Sequence, residues 1–185
     1  MKKQTALTDE QQAKIVEYRD RFFKQATSTE LADRPRAEAA AKRMAEIGGV
    51  KVNDVVWVMF PQDGAEKYGA VWGSLRDSLM DSLWDSLSAS LSTSLSTSLW
   101  GSLWDAGWSA FYIYARDVLS VQYDERSAEL LHLYDEIGAS CFELWIAPGV
   151  AILCERPEEY KIVDGRLVGV VWRQPAVVSA QKEKI

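Results

Sequence analysis

A four-residue repeat in the middle of the chain constrains its fold more than any other feature. Ser-Leu recurs at every fourth residue, eight times without a slip, from Ser74-Leu75 to Ser102-Leu103. Weaker copies of the same register extend the repeat region to residues 70–109. Because equivalent positions of a repeat are expected to occupy equivalent places in a fold, we predict that the eight leucines point inward and form a scaffold.

A straight α-helix suits this repeat poorly. Four residues advance 400°, so each Leu is displaced by about 40° from the previous one, and by about 280° between Leu75 and Leu103. Serine makes up 11 of the 32 residues from Ser74 to Asp105, and its helix propensity adds about 5 kcal/mol of unfavourable free energy relative to alanine. A β-strand would place Leu and the fourth residue on one face. We predict a short solenoid-like coil, with one long helix packed on several sides as the alternative.

The segments around the repeat predict an α+β fold in a single domain of residues 1–185. A capping-box pattern at Thr8 and Gln11 and helical spacing of apolar residues predict an N-terminal helical hairpin. A run of β-branched and aromatic residues after it predicts a buried strand. The predicted elements are the hairpin over 9–48, the strand over 54–60, helices over 108–137, a small antiparallel β-sheet region over 141–173 and a charged tail over 174–185.

Glycine and proline residues mark the predicted boundaries in the C-terminal part. Gly138 is expected to end a helix that begins near Ser127. Ala147-Pro148-Gly149 predicts a turn between two strands, and Asp164-Gly165 predicts the turn of a second hairpin.

Charge and composition exclude several functional classes. Residues 54–185 carry 10 basic and 19 acidic side chains, a net charge of −9, which argues against direct binding of nucleic acid. No run of about 18 apolar residues predicts a membrane span, and Met1-Lys2-Lys3-Gln4 is followed by no apolar signal segment, so a cytoplasmic location is expected. Two cysteines are expected to be buried thiols. With the single His132 they do not form a metal-binding pattern, and no cofactor motif is present.

Aromatic and acidic residues occupy the two outward positions of the repeat. Trp recurs at the third position and Asp at the fourth. These side chains either pack against the flanking segments of the chain or form a surface for a partner, where Trp is a frequent anchor. The candidate interaction surface consists of Trp84, Trp100, Trp104, Asp77, Asp81 and Asp85.

Several flanking motifs carry a resemblance that covers most of the chain in order. They are Leu7–Gln11 with Tyr18-Arg19, Ser28–Glu30 with Asp33-Arg34 and Ala37-Glu38, Val56-Trp57, Asp105–Trp108 with Phe111-Tyr112, Glu155-Arg156-Pro157 and Asp164–Leu167. Together with the repeat they resemble an uncharacterised bacterial family with tetrapeptide tracts of Ser or Gln followed by Leu or Val. In that family the last motif continues into His and Gly-Pro-Ala, whereas Val168-Gly169-Val170 stands here. The resemblance implies the architecture and no activity.

The sequence predicts a non-enzymatic interaction or scaffold domain. Its partner is expected to be a protein, bound through the outward Trp and Asp rows, and the oligomeric state is left open. An acidic mimic of nucleic acid that inhibits a DNA-binding protein is the alternative. An enzyme with a site near His132 and Cys141 is the least favoured class, because no phosphate loop, nucleophile elbow or metal motif is present.

Overall fold

Helices and two small β-sheets together form an α+β fold, as predicted. The computed structural model describes residues 3–63, 73–103, 107–141, 143–164 and 166–173, with side chains described for all of these except 73–78, 143 and 166. The predicted tail over 174–185 lies outside the described residues. The helices are α1 (Asp9–Ala26), α2 (Arg34–Ile47), α3 (Gly73–Ser90), α4 (Thr93–Leu103), α5 (Trp108–Asp117) and α6 (Glu125–Ser140), and the strands are β1 (Val52–Val58), β2 (Glu143–Ala147), β3 (Gly149–Cys154), β4 (Glu159–Val163) and β5 (Arg166–Val171).

The repeat forms the two α-helices α3 and α4, so the prediction of a solenoid-like coil is wrong for the described residues. The alternative of one long helix is also incomplete, because helical structure is interrupted at Leu91 and Ser92. The interruption falls in the Ser/Thr-rich middle of the repeat, where helix propensity is lowest. Between Leu79 and Leu87 the leucine row drifts by only about 80°. Each short helix therefore keeps its leucines within reach of one set of neighbours.

The N-terminal segment fills this helix break. The backbone N–H of Gln4 donates to the carbonyl of Ser90 at 2.9 Å, and the carbonyl of Gln4 accepts from the N–H of Ser92 at 2.9 Å. Both backbone groups would otherwise be left without a helical partner. The Gln4 side chain also donates to Gln11 in the capping box of α1. The break is thus coupled to the start of the first helix.

We expect Gln4→Pro to destabilise the protein by about 1–3 kcal/mol, because proline removes the donor that Ser90 requires. Gln4→Ala is the matched control, since it keeps the backbone N–H and removes only the side-chain hydrogen bonds. Urea denaturation of both variants measures the difference in the free energy of unfolding. Equal loss in the two variants would contradict the role given to the backbone bridge.

The leucine row forms the core of the repeat, as predicted. From Leu79 to Leu103 every repeat leucine is buried, with at most 7% of its surface exposed. Serine at the first position is compatible with a helix, because a hydroxyl can donate to the carbonyl four residues earlier. Ser90 donates to Ser86 in this way at 3.0 Å, and Ser102 donates to Ser98 at 2.9 Å. A period of four residues places a donor and its acceptor in successive repeats.

Helix α6 packs against α1, α2, α3 and α5, and this corrects the prediction of an N-terminal hairpin. Both predicted helices exist, but α1 and α2 each lie against α6 and not against each other. Small side chains on α2 permit a close approach, and Arg36 and Arg43 pair across the contact with Glu136 and Glu129. The loop between α1 and α2 is held at the end of α6, where Asp33 N–H donates to Ser140 at 2.9 Å.

A buried arginine joins the C-terminal ends of α1 and α6. The Arg156 guanidinium donates to the carbonyls of Gln25 at 3.0 Å, Ser28 at 3.2 Å and Gly138 at 2.9 Å. Helix C-termini carry partial negative charge, so they stabilise this cation. Gly138 does not end α6 as predicted. A Cβ there would lie 2.9 Å from the side-chain amide nitrogen of Gln25, so the glycine leaves room for the hydrogen bond from that amide to the Asp135 carbonyl. The Glu155 carboxylate accepts from Ala32 N–H at 2.8 Å.

We expect Arg156→Leu to lower the free energy of unfolding by at least about 3 kcal/mol, because three carbonyls lose their donor in a buried site. Arg19→Leu is a suitable control, since Arg19 lies on the surface and pairs only with its neighbour Asp20 among the ion pairs of the described residues. The control should change stability by less than about 0.5 kcal/mol. Similar urea midpoints for the two variants would show that Arg156 does not join the helices.

The strands form two sheets rather than one. A three-stranded sheet has the order β1-β3-β2, with β1 parallel and β2 antiparallel to β3, and β4 pairs with β5 in a separate hairpin. The predicted turns are confirmed at Pro148-Gly149, where Gly149 has φ of +85°, and at Asp164. The prediction of a buried first strand is wrong, because β1 lies at an edge and is half-buried. The central strand β3 is the buried one.

Candidate functional site

The outward tryptophans of the repeat differ in exposure. Trp84 on α3 is 47% exposed, whereas Trp100 on α4 is half-buried. Trp108 packs edge-on against Tyr134, with ring centroids 4.6 Å apart. Each of the two expectations therefore holds for one of these residues, because Trp108 packs against a flanking segment and Trp84 is exposed to solvent. Trp104 lies outside the described residues.

The acidic row faces solvent where it is described. Asp81 and Asp85 are both exposed on successive turns of α3, about 6 Å apart along the helix axis. The side chain of Asp77 lies outside the described part of the chain. No Lys, Arg or His occurs anywhere between residues 77 and 115, while four Asp do. The described outer side of the repeat is thus acidic, and the one basic residue of the eight repeats, Arg76, lies just before this interval.

A groove of about 380 Å³ opens where the outward positions of α3 and α4 meet. Its volume lies at the small end of the range of ligand pockets, about 300–1,000 Å³. The break at Leu91 and Ser92 brings the two helices together, so third-position residues from both halves of the repeat contribute to one concave surface. The groove is lined by Met80, Asp81 and Trp84 from α3, Ser96, Thr97 and Trp100 from α4, and Tyr112 from α5.

Aromatic contacts hold the wall and floor of the groove in place. Trp100 packs edge-on against Phe111 at 5.1 Å and against Tyr112 at 6.4 Å between ring centroids. Tyr112 is buried, and burial raises the pKa of its phenol to about 12. The phenol therefore remains neutral at physiological pH. A rigid aromatic surface of this kind loses little conformational entropy when a ligand binds.

Sequence reasoning found part of this site and missed the rest. It identified Trp84, Trp100 and Asp81, which line the groove, and Asp85, which lies outside it. It missed Met80, Ser96 and Thr97, although these occupy the same third and fourth repeat positions. It also missed Tyr112, for which the sequence carried no signal, because only the packing of α5 on α4 brings it to the groove.

A second, polar cavity of about 210 Å³ contains a Ser-Asp-Ser network. Ser82 donates to Asp124 at 2.6 Å and its oxygen accepts from Ser127 at 2.9 Å. Hydrogen bonds from Ser127 and Ser82 lower the pKa of the Asp124 carboxyl to about 2. A carboxylate with so low a pKa is a weak general base at neutral pH. Asp124 is the N-cap of α6, and the network ties the repeat to that helix.

We expect the contribution of Asp124 to stability to depend on pH. Its folded-state pKa lies below the ordinary value of 3.8, so the charged form stabilises the fold above about pH 4 and this stabilisation is lost as the pH falls towards 2. Asp124→Asn keeps a capping side chain without the charge. The variant should be less stable than wild type by about 0.5–1 kcal/mol at pH 6, because solvent screens the exposed carboxylate. Urea denaturation between pH 6 and pH 3 tests this, and a difference independent of pH would contradict it.

The residues proposed for an enzyme site are not brought together. His132 is exposed, with 63% of its side chain accessible, and its nearest ionic partner is Glu136 at 3.9 Å. Cys141 is buried beyond the end of α6, nine residues later, or about 13 Å along the helix axis. Both Cys141 and Cys154 are buried thiols, as predicted.

Within the part of the chain that the structure describes, no three His, Cys, Asp or Glu side chains cluster to hold a metal ion. Within the same ranges no helix has the length and apolar character to span a membrane. No protein-family model, curated protein or solved structure matches the chain. The geometry of the groove is therefore the basis for assigning a function.

Proposed function

We propose that this chain is a non-enzymatic interaction domain that binds a segment of a partner protein in the groove between α3 and α4. The observation that carries the proposal is the position of Trp84, a large indole left half-exposed beside a concave aromatic surface. Trp side chains are enriched among the residues that dominate binding energy at protein interfaces. Burying the rest of this indole under a partner would remove apolar surface from water.

Polar groups at the groove favour a peptide segment over a purely apolar ligand. Thr97 is exposed at the groove, and its hydroxyl can donate to or accept from a peptide backbone. The Ser96 side chain is buried at the groove, and its hydroxyl donates to the Ser92 carbonyl at 3.1 Å. Two buried thiols fit a reducing compartment, and we propose a cytoplasmic location.

A groove-dependent peptide interaction tests the function directly. Random 12-residue peptides displayed on phage are selected on the wild-type domain alone, and the selected peptides are then compared on the variants. We expect the selected peptides to lose at least about tenfold in affinity for Trp84→Ala, the effect of removing an interface tryptophan. Isothermal titration calorimetry measures the affinities. Leu31→Ala is the control, because Leu31 is an apolar residue that is 71% exposed outside the groove, and it should leave the affinity unchanged.

A second variant blocks the groove without removing an aromatic residue. Thr97→Lys places a long side chain in the groove, and Thr93→Lys places the same side chain one turn earlier on α4, outside it. Peptides that bind the groove should be lost with the first variant and retained with the second. Selection of no peptide that distinguishes these variants would overturn the proposed function.

The acidic-mimic alternative is supported by a separate observation, the exposed carboxylates of Asp81 and Asp85 on successive turns. Such a mimic would bind a DNA-binding protein through charge alone. Binding that depends equally on both carboxylates, weakens steeply with salt and is unaffected by Trp84→Ala would favour it over the groove.

A further inference from the structure

Among the residues that the structure describes, the groove combines aromatic surfaces with a negative charge. Two indoles and a phenol line it, and Asp81 is the only charged residue among the lining residues that the structure describes. Residues 77–115 contain no Lys, Arg or His. Arg116, one turn after Tyr112 on α5, pairs with Asp117, and the side chain of Arg76 lies outside the described part of the chain. Aromatic faces carry partial negative charge and attract cations within about 6 Å of the ring centre. The groove is therefore electrostatically suited to a cation.

The carboxylate of Asp81 opposes occupation by a neutral side chain. A ligand that covers the groove removes water from this carboxylate, and desolvation of an unpaired charge is strongly unfavourable. A cationic ligand offsets that loss with a charge-assisted hydrogen bond. Apolar and cationic ligands both gain from contact with the indoles, but only the cationic one also pairs with Asp81.

We propose that the partner segment is anchored in this groove by an arginine side chain. The inference rests on the proposed function and specifies the residue that the partner presents. A guanidinium is planar, so it can stack on an indole while donating two parallel hydrogen bonds to one carboxylate. Its remaining N–H groups match the exposed hydroxyl of Thr97, which lines the same groove. A lysine ammonium lacks the planar face and the paired donors.

The experiment uses a peptide selected on the wild-type domain and its citrulline analogue. Citrulline has nearly the shape of arginine, but a urea oxygen replaces one NH2 group, so the replacement removes the positive charge together with one donor group. We expect citrulline to weaken binding by about 30-fold, from loss of the cation–π contact and the charge-assisted hydrogen bond. Replacement of the same arginine by lysine should weaken binding by about fivefold.

Protein variants locate the contact on the groove. Asp81→Asn should weaken the arginine peptide by about tenfold and leave the citrulline peptide almost unaffected, so that the two changes are coupled in a double-mutant cycle. Asp85→Asn removes the same charge from the same helix outside the groove. It should weaken the arginine peptide by less than about threefold, through general electrostatic attraction.

The outcomes separate this inference from the proposed function. Peptides that depend on Trp84 but contain no arginine, or that bind equally well with citrulline, would overturn the arginine anchor and leave the groove as a peptide site. Equal effects of Asp81→Asn and Asp85→Asn would also overturn it. Peptides insensitive to both Trp84→Ala and Thr97→Lys would overturn the proposed function itself.

Discussion

In an α-helix, the leucines of successive four-residue repeats are displaced by about 40° around the helix axis. The rest of the structure depends on this constraint. An unbroken helix would wind its leucines most of the way around the axis. Interruption at Leu91 and Ser92 divides the row into two short helices. Each helix then buries its leucines against nearby elements, α3 against α4 and α6, and α4 against α1 and α5. The break thus lets a leucine row form a core.

The same break creates the groove. Gln4 satisfies the backbone groups that the interruption frees, so the chain can change direction there without leaving buried polar groups unpaired. The outward positions of two consecutive helices then meet at one surface. Trp84 and Trp100 are 16 residues apart along the chain and line one cavity. The helix break that lets the leucines form a core therefore also creates the groove.

The motifs outside the repeat support the packing of α6. Arg156 and Glu155 hold the ends of helices and the loop between α1 and α2, and Thr8 with Gln11 caps α1. These contacts explain why polar residues occur at those positions. The pair Glu155-Arg156 was visible as a motif, but its structural role depends on carbonyls more than 15 residues away along the chain.

Local signals in the sequence determined the helices and strands outside the repeat, most turns and the burial of the leucine row, because periodicity, capping residues and turn residues act over a few neighbouring positions. Tertiary structure decided the rest. For the repeat, the sequence favoured a coil over a helix, because the low helix propensity of serine and the angular drift of the leucines both disfavour a helix. Burial of the leucines against neighbouring elements stabilises the helices nevertheless, and these neighbours could not be known from the sequence. Trp84 and Trp108 occupy the same repeat position, yet one is exposed and the other packs on Tyr134. Their difference depends on long-range contacts, which no repeat pattern encodes.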